Sequence, residues 1–184
     1  RMSMSSRPER SDMDYINLQL RTAPRLSVEG LPLIKPPYGQ IVALDLNEGE
    51  KLWDVVHGET PDSIRNHPAL AGLDIPPTGQ AGRVGVLVTK TLVIAGDGGS
   101  YTNADGEQEA LLRAYDKLTG KQLGSLSMPA QQTGSPMTYA IDGVQYLVVA
   151  IAGSDVPGRL RVYSYGPWFT SFLSAHSQPH TVTR

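Results

Sequence analysis

The sequence has no cysteine, which excludes disulfides, thiolate metal sites and cysteine catalysis. Charge is scarce as well: 18% of residues are charged, against about 25% in typical globular proteins. The net charge is −2 and the isoelectric point about 6.1, so no basic face is offered to nucleic acid. No stretch approaches the roughly 18 apolar residues of a membrane helix. The opening Arg1-Met2-Ser3-Met4 lacks the apolar core of a secretory signal, and a first residue other than Met points to a processed or partial sequence. The G-x-S-x-G, P-loop and dinucleotide-binding fingerprints are missing from the 184 residues.

In their place stand 19 Gly and 14 Pro, well above the roughly 12% that average usage gives the pair. At 40% hydrophobic, the chain carries enough apolar material for a core and is not composed like a disordered one. Gly and Pro at this frequency break long helices and coiled coils. The balance predicts an all-β fold of many short strands joined by tight turns.

Residues 1–30 are polar with scattered apolar positions (Met13, Tyr15, Ile16, Leu18 and Leu20) and read as an N-terminal lead-in or arm. Leu31 to Tyr38 is Pro-rich and reads as extended. Strands are predicted at 40–46 and 50–56, turned at Asn47-Glu48-Gly49. Residues 57–83 form a long polar connection, in which Thr60 as N-cap and Pro61 at the first helical position open one short helical turn. A connection of that length is usually functional or a lid. Further strands are predicted at 84–89, 91–96, 110–115, 121–127, 136–141, 144–152 and 159–165, with a hydrophilic loop at 97–108. Asp142-Gly143 between two apolar runs is a strong hairpin signal. Residues 166–184 form a C-terminal tail of unassigned structure.

One segment recurs. Ala43-Leu44-Asp45, Gly49, Leu52 and Trp53 are matched, at an offset of 71 residues, by Ala114-Tyr115-Asp116, Gly120, Leu123 and Gly124. A degenerate third copy is read at Arg161-Val162-Tyr163-Ser164, aligned with Arg113-Ala114-Tyr115-Asp116. Leu92-Val93-Ile94-Ala95 precedes the second copy and Leu147-Val148-Val149-Ala150 the third. A unit of four strands repeated in this way is a propeller signature. The pattern's chemistry is structural: Ala lets sheets approach, Asp accepts backbone N–H groups in a turn, Gly supplies positive φ, and Trp packs between sheets. Asp45, Asp116 and Trp53 are therefore expected as scaffold rather than as catalytic groups.

At these residues the sequence resembles the pyrroloquinoline quinone (PQQ)-dependent alcohol and sugar dehydrogenases. The stretch GQIVALDLNEGEKLWDV, residues 39–55, looks like that family's tryptophan-docking motif. LLRAYDKLTGKQLGSLSMPA, residues 111–130, resembles the following motif, with Gly124 where Trp is expected. Gly134-Ser135-Pro136-Met137-Thr138-Tyr139 and Asp142 to Val149 are similar to the last blade. Within the family the sequence most resembles the quinoprotein glucose dehydrogenase group. The resemblance implies an eight-bladed β-propeller of four-stranded antiparallel sheets. It implies PQQ near the axis beside a calcium ion, and a carboxylate base for oxidation of a sugar or alcohol hydroxyl. Residues 31–165 would supply roughly the last two blades of that ring. The calcium ligands and the catalytic Asp belong to earlier blades, so no catalytic or metal residue is carried over to this chain. The remaining blades and an electron acceptor, a quinone or a cytochrome, are the implied partners, in the periplasm or on the outer face of the inner membrane.

Four residues are candidates for the cofactor. Arg83 and Gly85 precede a strand expected to be innermost; Arg83 is either a fork for a quinone carboxylate or a solvated loop residue. Thr133 and Ser135 occupy the same place one blade later, facing either the cofactor mouth or solvent in an ordinary turn. Asp97, Asn103, Asp105, Glu107 and Glu109 cluster in one loop, but their spacing departs from the calcium-loop pattern, and a polar hairpin is expected. His57 and His67, with Asp62 and Arg65 between them, are expected as solvated loop residues; His176 and His180 lie in the tail. Trp168, Phe169, Phe172 and Leu173 either dock on the propeller or end the chain unnaturally. Two functions are therefore open: part of a PQQ-dependent dehydrogenase that is inactive alone, or a non-catalytic propeller module serving as a scaffold.

Overall fold

A computed structural model describes residues 27–165; the tail residues His176, His180, Trp168, Phe169, Phe172 and Leu173 lie outside them. Residues up to Ile34 and those from Lys35 onward belong to two separate units. The described part of the first is a hairpin of β1 (Ser27–Val28) and β2 (Leu31–Pro32). Glu29 and Gly30 turn it at φ 52° and 90°. The run from Leu31 expected to be simply extended thus begins as a paired strand.

The second unit is built of antiparallel sheets. β3 (Gln40–Asp45) pairs with β4 (Glu50–Val56) as a two-stranded ladder. Next comes a four-stranded blade in the order β5 (Leu87–Val88), β6 (Leu92–Gly96), β8 (Gln108–Asp116), β9 (Gln122–Met128). The short β7 (Tyr101–Thr102) pairs with the start of β8. The third sheet has β10 (Met137–Ile141), β11 (Val144–Ile151) and β12 (Arg159–Tyr165). Asp142 and Gly143 turn β10 into β11 at φ 50° and 78°, the two positive angles of a type I′ hairpin. The chain is a partial β-propeller in which one blade is complete.

The two motif copies fold alike because their Asp side chains do the same work. Asp45 Oδ1 accepts from the N–H groups of Asn47 and Glu48, at 2.8 and 3.3 Å. Asp116 Oδ1 accepts from those of Leu118 and Thr119, at 3.0 and 2.8 Å, and from the Thr119 hydroxyl at 2.9 Å. These bonds and the turn backbone hold Asp116 below the usual carboxylate range, the Thr119 hydroxyl bond contributing most. Gly49 and Gly120 follow at φ 71° and 72°. A β-bulge sits at Ala43/Leu44 and again at Ala114/Tyr115.

Trp53 joins the copies. Its indole N–H donates to the Lys117 carbonyl at 3.0 Å, and its ring lies on Gly120, where a Cβ would come within 2.6 Å of it. Leu92, Ile94, Ala110, Leu112, Ala114 and Met128 then share one core with Leu147, Val149, Ile151 and Tyr163 of the third sheet. Small residues at 110 and 114 let the two sheets close on each other.

Three expectations change in detail. The strand predicted at 84–89 shrinks to Leu87–Val88, because the Gly85 carbonyl is taken by the Gln132 side chain instead of a ladder partner. The third motif copy is out of register by one residue. Leu92 faces Asp116 and Leu147 faces Tyr163, so the counterpart of Arg113-Ala114-Tyr115-Asp116 is Leu160-Arg161-Val162-Tyr163. A shift of one flips every side chain to the other face. In the long connection, the helical turn α1 spans Asp62–Arg65 with Pro61 at the N-cap; the Thr60 hydroxyl is engaged by the Thr78 N–H at 3.2 Å instead.

Candidate functional site

The leads into β5 and β10 converge. A Cβ on Gly85 would fall 2.0 Å from Ser135 Oγ and 2.6 Å from its Cα, so only glycine permits this approach. Gly85 and Ser135 are thus in direct contact, with Arg83 two residues before the one and Thr133 two before the other. Arg83, Thr133 and Ser135 are exposed. The Arg83 stretch is fixed at its other end by Gly82, whose Cα packs on Gly98 so closely that a Cβ would lie 2.5 Å away. Two loop ends meet here, bearing one guanidinium and two hydroxyls. Gly82 and Val84 also line a separate cavity of about 410 Å³ beside β3, with Tyr38, His57 and Gln80; it does not include Gly85, Thr133 or Ser135.

Beside these loop ends, joined to them through Gln132 and Asp97, lies a buried polar network that sequence reasoning missed. Asp97 is fully buried, not part of the exposed loop. Its carboxylate accepts from Arg113 Nε at 2.8 Å, Arg113 Nη2 at 3.3 Å and the Leu111 N–H at 3.0 Å. Arg113 also pairs with Glu59 at 2.9 Å. Burial opposes the Arg113 charge, but Asp97 and Glu59 more than offset it and hold the guanidinium firmly protonated. No sequence signal marks Asp97 as core, because its partner is 16 residues away and in another strand.

His57 is also buried, at 4% exposure, rather than solvated. Its Nε2 stands 3.1 Å from the Gly96 carbonyl, which only accepts, so Nε2 carries the proton. Nδ1 then accepts from the Tyr115 hydroxyl at 2.9 Å. Burial pushes Tyr115 up to about 12, which keeps it a donor. Burial likewise lowers the His57 pKa and keeps the ring neutral. The neighbours from expectation have equally structural roles. His67 Nδ1 accepts from the Ala69 N–H at 3.2 Å, and Asp62 accepts from the Thr102 N–H and hydroxyl at 2.9 and 2.7 Å. Arg65 sits 5.6 Å from the Tyr101 ring centroid. The 57–83 connection is therefore fastened to the complete blade at several points.

The 97–108 segment is a hairpin around Asn103, whose side-chain oxygen accepts from the Asp105 and Glu107 N–H groups at 3.0 and 2.9 Å. Glu109 accepts from the Tyr101 hydroxyl at 3.0 Å. Among the described residues no group of three His, Cys, Asp or Glu side chains is arranged to hold a metal ion.

Comparison with known proteins identifies the architecture. The model of the glucose/ethanol/alcohol dehydrogenase β-propeller domain family (PQQ) matches residues 2–147. Quinoprotein glucose dehydrogenase A of Acinetobacter calcoaceticus is 29% identical over 154 residues, covering 84% of this chain and 17% of that protein. Quinoprotein glucose dehydrogenase of Escherichia coli (strain K12) is 30% identical over 170 residues, 86% of this chain and 18% of that protein. A probable quinate dehydrogenase (quinone) of Xanthomonas campestris pv. juglandis is 33% identical over 132 residues, 70% of this chain and 15% of that protein. No solved structure matches. The chain spans about a sixth of the length of these curated relatives. With its turn motifs and blade packing, the chain belongs to the PQQ-type glucose/ethanol/alcohol dehydrogenase β-propeller family.

Proposed function

We propose that this chain forms part of a PQQ-dependent dehydrogenase that oxidises a sugar or alcohol hydroxyl, and that it contributes one rim of the quinone site without the catalytic base. The observation that carries the reading is the contact of Gly85 with Ser135, which brings the lead bearing exposed Arg83 against the lead bearing exposed Thr133 and Ser135. The donor set suits a carboxylated quinone. Arg83 makes no hydrogen bond or ion pair with the described residues, and a free guanidinium fork matches a carboxylate. The two hydroxyls add neutral donors. When bound, the quinone accepts the two reducing equivalents; this chain's residues bind and orient it.

The acids of the described residues support assigning the base and any calcium ligands to the rest of the protein. Asp97 is committed to Arg113, and Asp45 and Asp116 to turns. Substrate oxidation outside the cytoplasm, in the periplasm or on the outer face of the inner membrane, with electrons passing to a quinone or cytochrome, completes the proposal. It draws on relatives named as quinoproteins and as a quinone-linked dehydrogenase.

The test is PQQ-dependent dye reduction with sugars and alcohols, by the intact protein and by the 184-residue chain alone. The reading expects activity in the first and none in the second. Activity in the chain alone overturns the assignment of the base elsewhere, and absence of PQQ-dependent activity in the intact protein overturns the dehydrogenase reading.

A further inference from the structure

Gln132 is 3% exposed and sits between the two candidate loops. Its side-chain amide spans both. Oε1 accepts from the Gly96 N–H at 2.6 Å, and Nε2 donates to the Gly85 carbonyl at 2.8 Å. Its backbone N–H donates to the Asp97 carbonyl at 3.0 Å, and it bridges to Ile151 of β11. Its neighbours Gln131 and Thr133 are tied to the same end of β11, through Ala152 and Ala150. One side chain therefore joins the lead into β5, the end of β6 and the start of the third sheet.

The Gly85 carbonyl would otherwise extend the β5 ladder. Binding it to Gln132 ends the ladder early and leaves 82–85 as a run clamped at Gly82 by Gly98 and at Gly85 by Ser135 and Gln132. Arg83 is between the clamps, with its side chain exposed. Gly96 leaves no room for another residue here: a Cβ would meet Gln132 Oε1 at 2.7 Å and Cβ at 2.9 Å.

We infer that Gln132 is a positioning residue for the quinone site: it sets the Arg83 stretch in register with Thr133 and Ser135, so that guanidinium and hydroxyls meet one ligand together. The inference rests on the proposed quinone rim and assigns its alignment to one amide. A bidentate guanidinium–carboxylate pair is geometrically demanding, so holding the Arg83 backbone in place favours it.

The test is a double-mutant cycle on the intact apo protein, read as the PQQ dissociation constant by equilibrium dialysis, with thermal unfolding run in parallel. Gln132→Met keeps the volume and removes both amide bonds. It is expected to weaken PQQ binding about tenfold, the scale of one well-placed hydrogen bond, and to have no further effect in an Arg83→Ala background, because it acts through Arg83. Gln132→Glu keeps the acceptor for Gly96 and sets an oxygen against the Gly85 carbonyl; it gives the same readout if the Met variant does not fold. Unchanged affinity in the Gln132 variants, or losses that simply add to that of Arg83→Ala, overturn the positioning role while leaving the site reading intact. An Arg83→Ala protein that binds PQQ as tightly as the parent overturns the site reading itself.

Discussion

Replacing Gly120 with Ala tests the docking of one motif copy on the next, and Gly49 supplies the control. The two glycines occupy the same turn position at φ 72° and 71°. At Gly49 nothing lies within 4 Å of an added Cβ, so Gly49→Ala carries only the left-handed backbone cost, about 1–2 kcal/mol. At Gly120 the Cβ would also stand 2.6 and 2.7 Å from Trp53 Cε3 and Cδ2 and 3.1 Å from Val55 Cγ1. The indole is tethered to the Lys117 carbonyl at 3.0 Å, so it retreats only by straining that bond. Overpacking of this kind costs about 1–3 kcal/mol, which puts Gly120→Ala about 2–5 kcal/mol below the parent. The assay is urea unfolding followed by far-UV circular dichroism, with both variants beside the parent. A Trp53→Ala background should remove most of the excess of Gly120→Ala over Gly49→Ala, leaving only the 3.1 Å approach to Val55 Cγ1. Equal losses for the two glycine variants would refute the docking of Trp53 on Gly120.

Other perturbations follow from the buried network. Asp97→Ala leaves the Arg113 guanidinium, with a side-chain exposure of 8%, short of its closest partner, and is expected to cost about 3–5 kcal/mol in the same unfolding assay. His57 titrates with a lowered pKa in the folded state, so the unfolded chain binds more protons near and below the ordinary His value of about 6.5. Its contribution to stability is full above that pH and is lost as pH falls through it toward the folded value, by up to about 1.4 kcal/mol per pH unit. Urea midpoints from pH 8 to pH 5 should show this slope, reduced in His57→Gln. Groups facing His57 are Tyr115, Asp97 and Arg113, and Tyr115→Phe, which removes the hydroxyl donor to Nδ1, should cost about 1 kcal/mol. Arg83→Ala, at an exposed position, should change the unfolding midpoint by less than about 0.5 kcal/mol equivalent.

The strands and turns were legible because their signals are local. Asp142-Gly143 reads as a hairpin from two residues, and the Asp45 and Asp116 turns from a seven-residue pattern whose side-chain bonds reach only two or three residues along the chain. Features set by distant partners were not legible. His57 looked like a loop histidine, but its partners Gly96 and Tyr115 are 39 and 58 residues away. Asp97 sits in a run of polar residues, and only the approach of Arg113 from β8 makes it core. The early end of β5 depends on Gln132, 47 residues downstream of Gly85. Arg-x-Tyr recurs in β8 and β12, but the facing strands set a register one residue different from that recurrence.

In the proposed site, the leads into two adjacent sheets form a rim for a carboxylated quinone. The decisive measurement is titration of PQQ into the intact apo protein and its Arg83→Ala variant by equilibrium dialysis, at matched thermal stability. Saturable binding is expected in the parent, weakened about tenfold or more by loss of the guanidinium, the weight of a charge-assisted hydrogen bond. Binding of equal strength in the two proteins would rule out Arg83 as a quinone ligand.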